Sequence, residues 1–496
     1  MSVFGAGGHS RFDASMVKRF VLGAVLVVLF SATAVASALL LEVKDDIASF
    51  KFTSKPIPHI QDFLQDVPAG QAQTILLLGS DRRFADIGKV RPRSDTIIVA
   101  RLDPDLNATA IMSIPRDLLV DVPGYGMRKI NEAFHLGGEK LTIRTVSELL
   151  SIDINHVISV NFGGFERAVN RLGCVYADVD RRYFNDNAGG GEHYATIDLK
   201  PGYQKLCGKD ALDYVRFRHE DSDFVRAARQ QEFLRQAKEQ IGLGKLFGDR
   251  KELLRIFGRY TETDISQRDT AEILGLIKLA YESSKEPLTE IRFPATDCPD
   301  RSCVQISTNA LIDTVQRFID VRGNTPVAKT PKKVKRVRRT ARLAPGLVYA
   351  QQEGENHVLA MSVRLEPLGL PVYFPKARLA GGAAGYVSDG SPRSYEIFDR
   401  NHNRYRSYRI VLYAGQLGQY YGVQGTTWKA PPILDNPTDE RIMRGRTYRR
   451  YFDGKKIRLI AFQTPKAVYW VTNTLNQVLT NRQMMDVARS LQRIGE

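Results

Sequence analysis

From Phe20 to Leu41 the chain carries no charged residue. These 22 apolar or small residues are enough to span a bilayer as a helix, at a rise of about 1.5 Å per residue. Lys18 and Arg19 precede the run, with Arg11 further back, while Glu42, Lys44, Asp45 and Asp46 follow it. The excess of basic residues on the N-terminal side places residues 1–19 in the cytoplasm and everything after Leu41 outside the cell membrane, as a single-pass protein. A cleaved signal peptide is the rival reading, because Ala34-Val35-Ala36 and Ala36-Ser37-Ala38 are small-residue cleavage patterns. The run exceeds the usual signal core of about 7–15 residues, which favours an uncleaved anchor. Either way the bulk of the chain is exported.

Export changes how charge and cysteine are read. A net charge of +16 calls for an acidic partner: nucleic acid, a phosphate-bearing substrate or an anionic surface. An exported chain meets no nucleic acid in the ordinary course, so that partner is excluded. Nine of the basic residues lie between Arg322 and Arg342 with no acidic residue among them, so much of the excess belongs to a linker. The four cysteines, Cys174, Cys207, Cys298 and Cys303, form no C-x-x-C pair and have no histidine pair at zinc-ligand spacing nearby. Outside the cytoplasm they fit two disulfides, expected as Cys174–Cys207 and Cys298–Cys303.

At 496 residues the chain is too long for one ordinary domain. After the tail (1–19) and the anchor (20–41), residues 42–70 read as a juxtamembrane connector broken by Pro56, Pro58 and Pro68. Residues 71–321 mix strands and helices. Thr74–Leu78, Thr96–Leu102, Ala108–Ile114, Val175–Val179 and Ala211–Arg218 have strand patterns. The Asp103-Pro-Asp-Leu-Asn107 turn makes the second and third of these a hairpin. Helical spacing recurs at Leu141–Ile152, Gly164–Leu172, Phe224–Leu243, Lys251–Phe257, Gln267–Ser283 and Thr308–Val321. This mixture predicts an α/β or α+β sandwich. Residues 322–346 are a basic flexible linker. Residues 347–496 form a separate C-terminal α+β domain, with strands at Tyr408–Tyr413, Ile457–Phe462 and Ala467–Thr472 and a closing helix at Asn481–Ile494. That domain carries no nucleophile, metal or phosphate signature, so a binding or scaffolding role is its default.

The segment Tyr214–Gln231 carries the chemistry. Read as a strand, it points Arg216 and Arg218 to one face. Asp221, Ser222 and Asp223 are each able to cap a helix starting near Phe224. On that helix Arg226, Arg229 and Gln230 share one surface at i, i+3 and i+4. Four arginines and an amide thus converge, beside a helix N-terminus. Guanidinium forks match phosphate oxygens with paired hydrogen bonds, so a pyrophosphate is the natural ligand. A salt-bridged surface helix is the bland alternative. Upstream residues weigh against it: Asp81 ends the first strand, Arg93-Ser94-Asp95-Thr96 opens the second, Ser113-Ile114-Pro115-Arg116-Asp117 ends the third, and Lys129-Ile130-Asn131 follows. Carboxylates at strand ends can hold a divalent ion that bridges phosphate oxygens.

The ordered series Leu77-Leu-Gly-Ser-Asp81, Arg93-Ser-Asp-Thr96, Ser113-Ile-Pro-Arg-Asp117, Lys129-Ile-Asn131 and Tyr214-Val-Arg-Phe-Arg218…Asp221-Ser-Asp-Phe-Val-Arg226…Arg229-Gln-Gln231 resembles the LytR–CpsA–Psr family. The resemblance covers roughly residues 71–243. It implies an α/β/α sandwich with a central mixed sheet. It also implies transfer of a glycopolymer from a polyprenyl-pyrophosphate carrier to a sugar hydroxyl of peptidoglycan. By motif, Asp81 and Asp95 would bind Mg2+ or another divalent ion. Arg93, Arg116, Lys129, Arg216, Arg218, Arg226 and Gln230 would hold the pyrophosphate, and Asp95, Arg116 and Arg218 would be catalytic. A non-catalytic polyprenyl-phosphate sensor and a polyprenyl-pyrophosphate hydrolase remain as alternatives.

Overall fold

A six-stranded mixed sheet organises the first half of the protein, whose computed structural model describes residues 57–68, 70–80, 94–106, 108–188, 195–217, 221–242, 245, 248–267, 275–276, 279, 288–298, 303–320, 343–443 and 445–496. The expected tail and anchor, nearly all of the linker, the glycine-rich stretch Gly189-Gly-Gly191 and all of 42–56 lie outside these residues. Among the described residues no helix is long and apolar enough to cross a membrane.

The strands are β1 (Gln73–Ser80), β2 (Ser94–Asp103), β3 (Ala108–Ile114), β4 (Leu119–Val122), β5 (Gly126–Lys129), β6 (His156–Asn161), β7 (Val175–Val179), β8 (Tyr183–Asn185), β9 (Ile197–Leu199), β10 (Gly202–Leu206), β11 (Thr261–Thr263) and β12 (Leu288–Ile291). The main sheet runs β11-β6-β1-β2-β3-β12. The predicted hairpin is β2–β3, and β1 pairs antiparallel with β2 but parallel with β6. Helices α1 (Ile130–Leu150), α2 (Phe162–Arg171), α3 (Gly208–Arg216), α4 (Asp223–Gln240), α5 (Arg250–Tyr260) and α6 (Thr308–Ile319) complete this half.

Strand alternation sorts the side chains into two layers. Leu76, Leu78, Ile97, Val99, Ala110 and Met112 pack with Ile130, Phe134 and Val146 of α1 and Phe318 of α6. Their neighbours Leu77, Ile98, Ala100 and Ile111 face the other way, onto Leu234 of α4. Helices therefore cover both faces of a mixed sheet, which is the α/β/α sandwich expected. Both disulfides form as expected, Cys174–Cys207 and Cys298–Cys303.

Two sequence readings need correction. Ala211–Arg218 was expected as a strand, but Gly208–Arg216 is helix α3. Its first turn starts at disulfide-bonded Cys207, upstream of the apolar run. Asp213 pairs with Lys209 one turn before it and with Arg216 one turn after it, a helical spacing. Arg216 is thus a last-turn helix residue, and Arg218 lies outside the described residues. The closing helix α8 (Asn481–Arg489, after α7 at Gln351–Leu365) stops before Ile494, because Leu491–Arg493 pairs as a strand with Tyr373–Pro375.

The C-terminal half is built on an antiparallel sheet centred on Arg404–Tyr413, Tyr420–Thr426, Val468–Thr472 and Lys456–Gln463. Its two faces do different work. Tyr469 and Val471 point into a core closed by α7 and α8. Val468 and Trp470 point into a second core that includes Tyr176 of β7 and Tyr203 of β10. The domain has its own hydrophobic core, yet it shares a further one with the first half. Hydrogen bonds cross this seam: Tyr176 Oη donates to Phe398 O at 2.7 Å, Tyr395 Oη donates to Tyr203 O at 2.9 Å, and Tyr203 N donates to Gln424 Oε1 at 3.2 Å.

Candidate functional site

Three antiparallel and parallel pairings bring the expected motifs to one edge of the main sheet. The C-terminal ends of β1 and β6 lie side by side, Ser80 opposite Asn161. The N-terminal end of β2 lies next to them. Gly79 pairs with Thr96 and Ser80 with Ser94, so Asp95 is the extra residue of a β-bulge. Bulges of this kind locally bend a strand and re-aim what it carries. The C-terminal end of β3 follows, with Ile114 opposite Ile97, and Arg116 lies two residues beyond it. Ligands of open α/β sheets sit at the carboxyl ends of such strands.

The bulge is packed from both sides. A Cβ on Gly79 would stand 2.9 Å from the Thr96 Cβ, so this strand position accepts only glycine while Thr96 stays in place. From above, Gln230 of α4 donates through Nε2 to Thr96 Oγ1 at 3.0 Å and to Val215 O at 3.1 Å. One side chain thereby ties the Asp95 bulge to the last turn of α3. Arg216, on that last turn, is held by Asp213 at 2.6 Å, and its guanidinium lies 5.5 Å from the centre of the Phe162 ring, directly after Asn161. Arg226 is buried one turn before Gln230 on the same helix face.

Arg116 and Lys129 come together through Asp117. Arg116 Nε stands 3.6 Å and Lys129 Nζ 3.4 Å from that carboxylate, with the Arg116 side chain only 12% exposed and Lys129 36%. The β4–β5 hairpin returns Lys129 to this position beside Leu119. The structure thus gathers Arg116, Lys129, Arg216, Arg226, Gln230 and the Asp95 backbone toward one edge. Asp81, Arg93 and Arg218 lie outside the described residues, as does the Asp95 side chain. Asp81 is nonetheless the residue bonded to Ser80, on the strand that pairs with the Asp95 bulge. Among the described residues no group of three His, Cys, Asp or Glu side chains is arranged to hold a metal.

Arg229 does not join this set. It is fully buried and pairs with Asp221, while its Nη2 donates to Phe217 O at 2.6 Å. Burial opposes its charge, but Tyr183 and Asp221 hold it protonated above the usual range. Asp221, one of three expected caps, serves this pair and also accepts from Arg181 at 2.8 Å, whereas Ser222 caps α4 by accepting from Val225 N. Arg229 therefore fastens both flanks of residues 218–220. Its burial is legible in hindsight: it sits between Val225, Ala228 and Phe233 on the buried stripe of α4. Arg181 and its neighbour Asp180 carried no sequence signal. Asp180 accepts from Tyr183 Oη at 2.5 Å, and burial pushes its carboxyl above the ordinary range.

The chain is similar to several known proteins. The LytR_cpsA_psr family model matches residues 41–318. Over 202 residues the chain is 33% identical to the polyisoprenyl-teichoic acid–peptidoglycan teichoic acid transferase TagU of Oceanobacillus iheyensis, covering 39% of this chain and 59% of that protein. Over 264 residues it is 29% identical to the regulatory protein MsrR of Staphylococcus aureus, covering 50% of this chain and 74% of that one. The crystal structure of TagT from B. subtilis shares 26% identity over 52% of this chain and 94% of its own, with a TM-score of 0.40. The chain thus spans less than two thirds of the length of TagU, and the family match ends before the C-terminal domain begins.

Proposed function

The chain belongs to the LytR–CpsA–Psr family, and from that premise we propose that it transfers a glycopolymer from a polyprenyl-pyrophosphate carrier to a sugar hydroxyl of peptidoglycan, outside the cell membrane to which residues 20–41 anchor it. The observation that carries this reading is the Gln230–Thr96 bond, which draws the arginine helix onto the bulge that holds Asp95. In this reading Arg116, Arg216, Arg226, Gln230 and Lys129, with Arg93 and Arg218, grip the two phosphates. Asp81 and Asp95 would hold Mg2+, which when bound neutralises phosphate charge and polarises the phosphoryl group.

The reaction is a phosphoryl transfer. The acceptor hydroxyl oxygen attacks the glycan-bearing phosphorus, and a new P–O bond forms. The P–O bond to the carrier breaks, and polyprenyl phosphate leaves with the electron pair. An aspartate at the bulge accepts the hydroxyl proton. Catalysis of this kind rests on positioning and on charge matched to the transition state, which is what preset guanidinium groups supply. Removing one such contact costs about 10²–10³ in rate.

Purified full-length protein, a labelled polyprenyl-pyrophosphate glycan, peptidoglycan fragments and Mg2+ test the proposal. A phosphodiester-linked conjugate is expected, lost in Arg116→Ala and Arg218→Ala. Release of free glycan phosphate without conjugate would make the protein a hydrolase. Full transfer by both variants would show that the site is elsewhere.

A further inference from the structure

The C-terminal domain touches helix α4 at both of its ends. At the N-terminal end, the turn between Arg404–Tyr413 and Tyr420–Thr426 brings Gly418 against the helix. A Cβ at Gly418 would stand 2.7 Å from Val225 and 3.2 Å from Asp221 Oδ1. Gly418 also has φ +68°, so the close approach and the backbone both call for glycine. Tyr420, at the end of the same turn, lies under the Arg181 guanidinium, 5.1 Å from its ring centre, and Arg181 is the second partner of Asp221. At the C-terminal end, Arg458 reaches Glu239 at 3.5 Å, and Arg400 donates to the Gln240 carbonyl at 3.0 Å. A cation on the last carbonyls of a helix satisfies an orphan acceptor and the helix dipole together.

This helix carries Arg226 and Gln230, and through Asp221 and Arg229 it fixes Phe217. From these contacts we infer that the C-terminal domain is a positioning element of the phosphate site, with the Gly418–Tyr420 turn setting where α4 begins. The inference rests on the pyrophosphate reading above and adds that the grip depends on residues more than 180 positions away in sequence. Gly418 and Tyr420 touch no substrate in this account. They act by holding Asp221 and Val225, one residue before Arg226. The domain without a chemical motif thereby acquires a part in the reaction.

The test uses the full-length protein in detergent and geranylgeranyl pyrophosphate as probe. Gly418→Val and Tyr420→Leu should each raise the Kd for the probe by about tenfold, whereas Tyr420→Phe, which keeps the ring under Arg181, should bind as wild type does. Tyr395→Phe cuts a different bond across the seam, to Tyr203 O. It should leave the Kd unchanged, and a loss equal to that of Gly418→Val would reduce the effect to general loosening and overturn the inference. So would wild-type affinity in both Gly418→Val and Tyr420→Leu. Hydrogen exchange of the α4 amides, read without any ligand, separates this inference from the reading beneath it. Faster exchange over 223–230 in Gly418→Val supports the clamp even if the wild type fails to bind the probe, a failure that would overturn the pyrophosphate reading. Unchanged exchange overturns the clamp.

Discussion

Arg229 and Arg409 are both fully buried, one in each half of the molecule. Arg229 finds its carboxylate, Asp221, eight residues away on the same structural corner. Arg409 finds its own in the other half: Asp178, at 3.0 Å, which also accepts from Trp470 Nε1 at 3.0 Å. A charge is stable in a protein interior only when paired there. The first pair therefore stays within one half, where it ties Asp221 and Phe217 to α4. The second cannot form until the two halves dock, so it makes the seam a condition of folding rather than a loose contact. The difference teaches that the domain boundary read from composition is not a boundary in energy.

Breaking the cross-domain pair should cost most. Asp178→Ala leaves the Arg409 guanidinium buried without its carboxylate, and unfolding by urea should show a loss of about 3–5 kcal/mol. Two separate transitions in the wild type would instead mean that the halves unfold independently. For the local pair, Arg229→Lys keeps the charge and loses the fork, so it should cost about 1–3 kcal/mol and weaken pyrophosphate binding. Titration of the lipid against this variant measures the second effect. Trp470→Phe removes only one bond to Asp178 and should cost about 1 kcal/mol by the same denaturation.

The smallest effect is a pH slope. The folded-state pKa of Asp180 lies above its ordinary value of 3.8 because the group is buried, with Tyr183, Arg181 and Arg229 pulling it back. Between that value and the raised one, the folded state holds a proton that the unfolded state has released. Stability from this group is thus present at low pH and is lost as the pH rises through the window. Asp180→Asn should flatten stability over that interval when denaturation is followed as a function of pH.

The first half was largely legible in the sequence. The β2–β3 hairpin, the disulfides and the helices at 224–243 and 308–321 follow from turn residues, cysteine count and apolar spacing. Asp95 follows from motif order and Gln230 from motif order and helical spacing together, and the Gln230–Thr96 bond draws that helix to the Asp95 bulge. What failed was local: Tyr214-Val-Arg-Phe-Arg alternates like a strand, but tertiary context, with Cys207 starting the helix and Asp213 bridging two turns, makes Tyr214–Arg216 helical. Arg229 was grouped with the ligand-facing residues because spacing gives a shared helix face but not which face is buried. The seam was illegible for a deeper reason. Val468–Thr472 buries both faces, and an apolar run does not say that one of them faces Tyr176 and Tyr203, some 270 to 290 residues earlier in sequence.

The most direct measurement of the central claim is the affinity of full-length protein for a prenyl pyrophosphate against the matching monophosphate, in the wild type and in Gln230→Leu. The account predicts that the wild type prefers the pyrophosphate strongly and that Gln230→Leu loses most of this preference, because the arginine helix is no longer tied to Thr96. Equal binding of the two lipids by the wild type would contradict it.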